Sequence, residues 1–362
     1  MTKVLFILDN LEGGGAERVF VNIANGFTAN NISAEFLVGE KKGIYLEILD
    51  SSIPIAEVGG TTLLKYLTTF PRILRQNNYT HIFTASHYAS SAAIVSKKIT
   101  GNKAKIYITH HYSLPASRPL QYFKGDMVLK LIHFFITPHS DKIIAVSKGS
   151  LDWLRKFSYH RLPQGTFIYN PVFDDSIYPL AEEKVNFPID ITGKIILLNV
   201  GRLAEEKDQI TLFKAFLIFK QANPNSVLFI LGTGPFESTL QNFIKENELS
   251  ASVFLMGFES NPYKWMAACD VFILSSLYEG FGNVLVEAMA LGKTVVSTNC
   301  PSGPGEILKG GELGYMCPVK DPGALSNAIS KAVTSPLNKD DIKESSQQYT
   351  VSAIVKKYID LL

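Results

Sequence analysis

The chain has 362 residues, a net charge of +2 at pH 7 and 46% hydrophobic residues, a composition typical of a globular protein too long for one hydrophobic core. Its three scattered cysteines lack metal-ligand spacing, which argues against a disulfide scaffold or a cysteine metal site. No apolar run is long enough to span a bilayer, and the run before Asp9 is too short for a signal peptide. We therefore expect a cytoplasmic protein of two domains.

Short strand-like runs alternate with segments of helical period in the first half of the chain. The alternation predicts a parallel sheet built from strand–helix–strand units, with helical segments such as 16–27 and 71–77 between the strands. The predicted strands cover residues 3–9, 34–39, 53–58, 81–86, 105–111, 142–147 and 166–170.

The alternation pauses between residues 171 and 192, which are rich in Pro and Asp, and then resumes. The strands predicted after this pause cover residues 194–201, 227–234, 252–258, 271–276, 294–299 and 313–319. The fold class is therefore α/β, with two doubly wound parallel-sheet domains at 1–172 and 190–345. Because ligands of such sheets bind outside the carboxyl ends of the strands, we expect the site where these ends face each other across a cleft.

The charge is divided unevenly between the two halves. Residues 1–170 contain 19 Lys and Arg against 11 Asp and Glu, a balance of +8, and the remainder contains 16 against 22, a balance of −6. Such asymmetry indicates different partners for the two halves, although a simple effect on solubility is the alternative. No clustered basic stripe is present, so nucleic-acid binding is disfavoured.

Two glycine-containing segments suggest phosphate loops but do not fit the known patterns. In "EGGGAER", Arg18 stands where a dinucleotide fingerprint needs its third glycine, and in "LGKT" a strand follows where a P-loop needs a helix. The first segment still offers free backbone N–H groups to an anion, with an empty tight turn as the alternative.

Two cations follow the first strand of the second half. Arg202 and Lys207 lie five residues apart in "VGRLAEEKD", where a loop can turn both toward one diphosphate. A solvated surface pair is the alternative. The chain has no Asp-x-Asp, so we expect fixed cations rather than a metal ion to bind such a group.

Two glutamates flank the turn in "EGFGNVLVEAMALGKTVV". On one helix a spacing of eight would turn Glu287 about 80° away from Glu279, so the two converge only if Glu279 lies in the loop and Glu287 about a turn into the helix. The helix amino terminus favours phosphate, and carboxylates beside it suit neutral hydroxyls. This arrangement predicts a nucleotide diphospho-sugar, against the alternative of a capped helix with an exposed Glu.

His110 and His111 end a predicted strand of the first half. At the carboxyl end of a strand either histidine can contact a sugar, whereas a packed or exposed histidine without a catalytic role is the alternative.

Together, "GGGAER", "VGRLAEEKD", "LGTGP" and "EGFGNVLVEAMALGKTVV" resemble the motifs of the retaining, GT-B-fold glycosyltransferases of family 4. The resemblance covers nearly the whole chain, and the last motif carries the family's Glu-x7-Glu. It implies an acceptor-binding first domain, a donor-binding second domain, and a carboxyl-terminal segment, residues 346–362, that returns to the first domain.

The resemblance also implies a role for individual residues. The catalytic residues would be Glu279, His111, Arg202 and Lys207, with His110 as the alternative histidine. The donor nucleotide-sugar would contact Gly14, Gly15, Arg202, Lys207, Gly234, Gly257, Phe258, Phe281, Gly282, Asn283 and Glu287. Asn283 stands where many relatives have an apolar residue, which leaves the identity of the sugar open.

The implied reaction transfers a hexose or N-acetylhexosamine from a UDP-sugar, with retention and without a cofactor or metal ion. The implied acceptor is a glycan of surface-polysaccharide biosynthesis, lipid-linked as it is for many members of the family. Basic and aromatic residues interleave in the segment 118–135, which predicts contact with the inner leaflet of the membrane. An ordinary domain helix with a buried apolar face is the alternative there.

Two other functions remain open at this point. One is a UDP-sugar epimerase on the same fold, although the chain lacks the paired catalytic carboxylates that we expect of it. The other is a non-catalytic sugar-nucleotide binding protein, against which the intact set of Arg202, Lys207, Glu279 and Glu287 argues.

Overall fold

A computed structural model describes residues 2–12, 14–111, 136–157 and 163–362. The chain divides into two compact units. Unit 1 comprises Met1–Pro171 together with Val351–Leu362, and unit 2 comprises Val172–Thr350. Among the described residues, no helix is both long and apolar enough to cross a bilayer.

Unit 1 is built on a seven-stranded sheet of order β3-β2-β1-β4-β5-β6-β7, in which every pairing is parallel. The strands are β1 (Lys3–Leu8), β2 (Ser33–Val38), β3 (Ile55–Glu57), β4 (His81–Thr84), β5 (Lys105–His110), β6 (Lys142–Ala145) and β7 (Gly165–Phe167).

Unit 2 is built on a six-stranded parallel sheet of order β10-β9-β8-β11-β12-β13. The strands are β8 (Ile195–Val200), β9 (Ser226–Leu231), β10 (Val253–Gly257), β11 (Val271–Leu274), β12 (Thr294–Thr298) and β13 (Tyr315–Cys317). All strands predicted from the sequence are therefore present in the described residues, and the two doubly wound sheets are those of the GT-B fold.

Helices follow most of the strands. In chain order they are α1 (Gly15–Ala29), α2 (Leu63–Gln76), α3 (His87–Thr100), α4 (Lys148–Phe157), α5 (Ile177–Ala181), α6 (Gln209–Ala222), α7 (Glu237–Glu246), α8 (Pro262–Ala268), α9 (Asn283–Ala290), α10 (Pro304–Ile307), α11 (Pro322–Thr334), α12 (Lys339–Ser346) and α13 (Val351–Ile359).

The helix α2 extends further toward the amino terminus than the sequence pattern indicated. Its predicted helical segment starts at Pro71, but the helix begins eight residues earlier at Leu63. Thr62 caps it through a hydrogen bond from the Lys65 amide to the Thr62 hydroxyl oxygen. Pro71 lies inside the helix, because the buried residues Tyr66, Phe70 and Leu74 hold the turns on both sides of it.

The core of unit 1 explains why the last helix belongs to it. Phe6 of β1 lies within 5.3 Å of Phe20 in α1, measured between ring centroids, and the same cluster includes Ile354 and Tyr358 of α13. A Cβ atom at Gly26 of α1 would lie 2.5 Å from Val355, so the glycine allows α1 and α13 to pack closely. The carboxyl-terminal helix returns to the first domain as predicted, but the returning segment begins at Val351 and not at residue 346.

Candidate active site

The strand order of unit 2 reverses between β8 and β11, which are neighbours in the sheet. Ligands of doubly wound sheets bind outside the carboxyl ends of strands at such a point. The loop after β8 carries Arg202 and Lys207, and the loop after β11 carries Glu279. Most of the residues that the sequence singled out in unit 2 therefore belong to segments that begin at this point of the sheet.

Hydrogen bonds tie these two loops together. The Ser275 hydroxyl donates to the Lys207 carbonyl oxygen at 2.7 Å, and the Leu277 amide donates to the Glu206 carbonyl oxygen at 2.7 Å. Ser275 is fully buried, so its hydroxyl has no competing water. The backbone of the Lys207 loop is thus fixed relative to the end of β11.

Lys207 and Glu279 form a close ion pair. The Lys207 Nζ lies 2.6 Å from Glu279 Oε1, and their side chains are 21% and 11% exposed. The Ser276 hydroxyl donates to the same carboxylate oxygen at 2.6 Å. Burial lowers the pKa of Lys207, but the charge and hydrogen bond of Glu279 outweigh this effect, so the pKa is raised. Lys207 is therefore a fixed positive charge at neutral pH.

Arg202 has a different environment from Lys207. Its carbonyl oxygen accepts a hydrogen bond of 3.1 Å from Gln209 Nε2, whereas its side chain is exposed. The guanidinium makes no hydrogen bond or ion pair to any residue in the described part of the chain. The structure thus fixes one of the two predicted cations against a carboxylate and leaves the other in solvent. Their joint binding of a diphosphate stays a prediction.

The "GFG" turn places the two glutamates as their spacing predicted. Glu279 lies in the loop, Gly282 adopts a φ of +105° that favours glycine, and α9 begins at Asn283, so that Glu287 is one turn into the helix. Glu287 is 2% exposed, and its Oε1 accepts a hydrogen bond of 3.2 Å from the Tyr263 hydroxyl. One carboxylate therefore has a cationic partner and the other a neutral donor.

The backbone of the turn is held from a neighbouring loop. The Phe281 ring is 2% exposed and packs against Tyr349 at 5.4 Å between centroids. Gly303 has a φ of +55°, and a Cβ atom there would lie 1.9 Å from the Phe281 carbonyl oxygen. The Phe281 ring is thus a core residue, so only its backbone is available for the predicted donor contact.

Cys300 lies in the electrostatic environment of the Lys207–Glu279 pair. Burial raises the pKa of its thiol to about 12, and the charge of Glu279 adds to this effect. The thiol therefore stays neutral at physiological pH and is a poor nucleophile.

Three further predicted donor contacts lie in the loop after β9 and at the carboxyl end of β10. A Cβ atom at Gly234 would lie 2.3 Å from the Leu203 carbonyl oxygen, so this glycine lets the β9 loop approach the β8 loop. Gly257 has a φ of +75° and accepts a hydrogen bond from the Gly232 amide at 2.7 Å. Phe258 beside it is 66% exposed, unusually high for an aromatic residue.

In unit 1, the glycine-rich turn leads from β1 into α1. Gly14 is the residue before the helix, which begins at Gly15 without a side-chain cap, and Gly13 lies outside the described residues. A Cβ atom at Gly14 would lie 2.1 Å from Glu17 Oε2. Burial raises the pKa of Glu17, and nearby Asp9 and Glu12 raise it further. These acidic groups next to the turn oppose the predicted binding of an anion there.

The two histidines after β5 differ in their surroundings. His111 Nε2 lies 3.0 Å from the Thr109 hydroxyl, and its ring contacts the edge of Phe20 at 6.0 Å between centroids. Burial lowers the pKa of His111 to about 4, so the imidazole is neutral at physiological pH. His110 is 9% exposed, and its ring lies 5.9 Å from that of Trp153.

Two other expectations concern metal ions and contact with a membrane. Among the described residues, no group of three or more His, Cys, Asp or Glu is arranged to hold a metal ion, and independence from metal stays a prediction. The segment 118–135, with its predicted membrane contact, lies outside the described residues.

Comparison with known families divides the chain in the same order as the two units. The family described as "Glycosyltransferase Family 4" matches residues 13–175, and the family described as "Glycosyl transferases group 1" matches residues 182–349. The chain belongs to the family 4 glycosyltransferases. It is therefore an enzyme of the glycosyltransferase class.

Two named relatives and one solved structure are similar to this chain over about two thirds of its length or more. An N-acetylgalactosamine-N,N'-diacetylbacillosaminyl-diphospho-undecaprenol 4-alpha-N-acetylgalactosaminyltransferase from Campylobacter jejuni is 28% identical over 95% of this chain and 93% of its own. The lipopolysaccharide core biosynthesis glycosyltransferase LpsE from Rhizobium meliloti is 26% identical over 66% of this chain and 68% of its own. The crystal structure of Anabaena HepE with UDP-glucose has a TM-score of 0.79 at 21% identity and covers 100% of both chains.

Sequence reasoning missed Ser275, Ser276, Tyr263 and Gln209, whose polar side chains contact the predicted residues. A signal was available for Ser275 and Ser276, because both directly follow the buried strand β11 at the edge of the sheet where ligands bind. No comparable signal marks Tyr263 or Gln209.

Proposed function

We propose that this glycosyltransferase moves a hexose or N-acetylhexosamine from a UDP-sugar to a hydroxyl of a lipid-linked glycan, with retention of anomeric configuration. The observation that carries this proposal is the pair of carboxylates beside the start of α9. Glu279, with a side chain 11% exposed, pairs with the ammonium of Lys207, and the buried Glu287 accepts from the hydroxyl of Tyr263. A fixed cation suits a diphosphate, and a carboxylate beside a neutral donor suits ribose hydroxyls.

In the proposed reaction the acceptor hydroxyl oxygen forms a bond to the anomeric carbon while the bond from that carbon to the donor phosphate oxygen breaks. The hydroxyl proton passes to the departing phosphate oxygen, and UDP leaves. Lys207 and Arg202 stabilise the negative charge that develops on the phosphate, and the amino-terminal N–H groups of α9 add to this effect. No nucleophile of the enzyme and no metal ion take part in this scheme.

The acceptor is proposed from the relatives rather than from the site. The name of the Campylobacter jejuni relative describes a diphospho-undecaprenol substrate, and that of the Rhizobium meliloti relative describes lipopolysaccharide core biosynthesis. We place the protein at the cytoplasmic face of a membrane, bound peripherally. Sedimentation with anionic and neutral vesicles at low and high salt tests this placement, and absence of binding to either vesicle contradicts it.

The donor is tested by a panel of nucleotide-sugars. We expect UDP-sugars to raise the unfolding temperature more than GDP- or ADP-sugars at equal concentration. The best donor is then incubated with a polyprenyl-diphosphate sugar acceptor, with EDTA and without it. Formation of a product with the anomeric configuration of the donor, insensitive to EDTA, supports the proposal. Inverted product, or activity that is lost with EDTA and restored by Mg²⁺, contradicts it.

A further inference from the structure

A serine outside the motifs that the sequence singles out hydrogen bonds to the Lys207–Glu279 pair. Ser276 is fully buried two residues after the end of β11, and its hydroxyl lies 2.6 Å from Glu279 Oε1. This distance is that of a hydroxyl donating to an ionised carboxylate, about 2.5–2.7 Å. The same oxygen also receives the Lys207 ammonium at 2.6 Å, so one carboxylate oxygen joins both groups.

Ser276 is itself held in place. Its carbonyl oxygen accepts a hydrogen bond of 2.5 Å from the Thr298 hydroxyl, which ties the end of β11 to the end of β12. Its neighbour Ser275 donates to the Lys207 carbonyl oxygen at 2.7 Å. The side chain of Glu279 is therefore held by Ser276 and the backbone of Lys207 by Ser275, and these two serines are adjacent at the end of one strand.

The anchor matters because an ion pair between two long side chains does not fix its own position. The Lys207 side chain has four rotatable bonds and that of Glu279 has three. Glu279 also lies in a loop, where Gly280 follows it. Ser276 has a short side chain next to a buried strand end, so its hydroxyl has little conformational freedom. A donor from the rigid sheet to Glu279 Oε1 converts a flexible pair into a fixed one.

We propose that Ser276 is a positioning residue that fixes the Glu279 carboxylate and, through it, the charge of Lys207. The inference rests on the proposed function for its effect on catalysis, because that effect requires Lys207 to face the donor phosphates. Ser276 does not touch the reacting atoms in this proposal. Its hydroxyl proton stays in the hydrogen bond to Glu279 throughout.

Turnover of Ser276→Ala gives the first test. We expect kcat to fall by about tenfold to a hundredfold, the scale of a displacement of about 1 Å, with a smaller change in the donor KM. Ser276→Cys keeps the volume and a weaker donor, so it should lie between Ser276→Ala and the wild type. The matched control is Ser226→Ala, which removes a buried hydroxyl at the amino-terminal edge of the same sheet, where it donates to the Asn223 carbonyl oxygen at 2.8 Å.

A double-mutant cycle separates positioning from a general loss of stability. If Ser276 acts through Glu279, then removing its hydroxyl from a Glu279→Ala enzyme lowers kcat by less than about twofold further. A merely structural role would lower kcat by the same factor in both backgrounds. That additive result would overturn the proposal.

Labelling of Lys207 tests the same inference without any turnover. At pH 8 an amine-reactive ester modifies the neutral form of lysine, so a fall of one pKa unit raises the rate about tenfold. We expect Lys207 to be labelled at least about threefold faster in Ser276→Ala than in the wild type or Ser226→Ala, with Lys264 and Lys293 unchanged as internal references. Equal labelling in all three proteins contradicts the positioning role. If the wild type turns over no nucleotide-sugar, the proposed function fails while this measurement still decides the role of Ser276.

Discussion

The sheets of the two units share one strand order through six strands, yet the loops at the carboxyl ends of their strands carry different functional groups, an ion pair in unit 2 and a neutral imidazole in unit 1. In unit 2 the loops after β8 and β11 hold a paired ammonium and carboxylate over buried hydroxyls. In unit 1 the loop after β5 holds an imidazole kept neutral by burial, and the loop after β1 holds a glycine turn.

This difference shows that the topology fixes where a site lies but the loop residues determine what it binds. A fixed positive charge next to carboxylates favours a charged donor in unit 2. A neutral histidine favours uncharged hydroxyl groups in unit 1. Substitutions in unit 2 should therefore act on nucleotide binding and charge stabilisation, and substitution of the neutral histidine in unit 1 should leave nucleotide affinity largely unchanged.

The largest expected effect follows removal of a cation in unit 2. Lys207→Ala or Arg202→Ala should lower turnover by about 10²-fold or more, the scale for loss of one group that stabilises charge in the transition state. The measurement is kcat with saturating UDP-sugar. Lys264→Ala is the control, because Lys264 forms a 3.5 Å ion pair with Glu259 in the same unit and belongs to neither the β8 loop nor the β11 loop. Unchanged turnover in a folded Arg202→Ala/Lys207→Ala protein would refute the assignment of the diphosphate to these residues.

The two glutamates should separate binding from transfer. Glu287→Ala should weaken UDP binding by about tenfold or more, since hydrogen bonds to charged groups contribute about 1.5–3 kcal/mol. Glu279→Ala should instead mainly lower kcat, because Glu279 holds Lys207 in the loop. Calorimetry with UDP and steady-state kinetics on both variants provide the comparison, with each variant serving as the control for the other. Equal UDP affinity in Glu287→Ala and wild type would remove the basis for a ribose contact.

A smaller effect is expected from the partner of Glu287. Tyr263→Phe removes the hydroxyl that donates to Glu287 Oε1 at 3.2 Å and leaves the ring in the core. We expect UDP affinity to fall by about threefold to tenfold, because the carboxylate loses one donor that orients it. Tyr315→Phe is the control, since its hydroxyl donates to the Ser335 carbonyl oxygen in the same unit. Similar losses in both variants would mean that Tyr263 acts on general stability.

The fold could be predicted because its signals are local and repeated. Runs such as "VLFIL" and "IILL" are apolar throughout, as strands buried on both faces of a parallel sheet must be. The start of α2 could not be predicted in the same way. Pro71 favours a helix start, and only the tertiary packing of Tyr66 and Phe70 carries the helix across it.

The site was predictable only where spacing carries geometry. Eight residues around a glycine turn place Glu279 and Glu287 as found, because the turn and the helix period leave little choice. Tyr263 lies 24 residues before Glu287, and nothing in that interval marks the contact. The pairing of Lys207 with Glu279 spans 72 residues and depends on β8 and β11 being neighbours in the sheet. Contacts between distant elements of this kind require the fold itself.

The smallest expected effect concerns the neutral imidazole of unit 1 and is a pH effect on stability. Burial holds the pKa of His111 at about 4 in the folded protein, below about 6.5 for an unperturbed histidine. Between these values the unfolded chain binds a proton that the folded protein does not. The contribution of His111 to the free energy of unfolding is therefore complete above pH 6.5 and is lost as the pH falls toward 4. His111→Gln removes the titration, and its unfolding free energy should fall less steeply over this window, by up to about 1.4 kcal/mol per pH unit.

Urea unfolding of the wild type and His111→Gln at pH 4.5, 5.5 and 7 measures the difference. The buried His81, whose pKa is also about 4, is present in both proteins and cancels. Parallel pH profiles would show that His111 titrates normally, and a large loss of UDP affinity in His111→Gln would end the contrast between the two units.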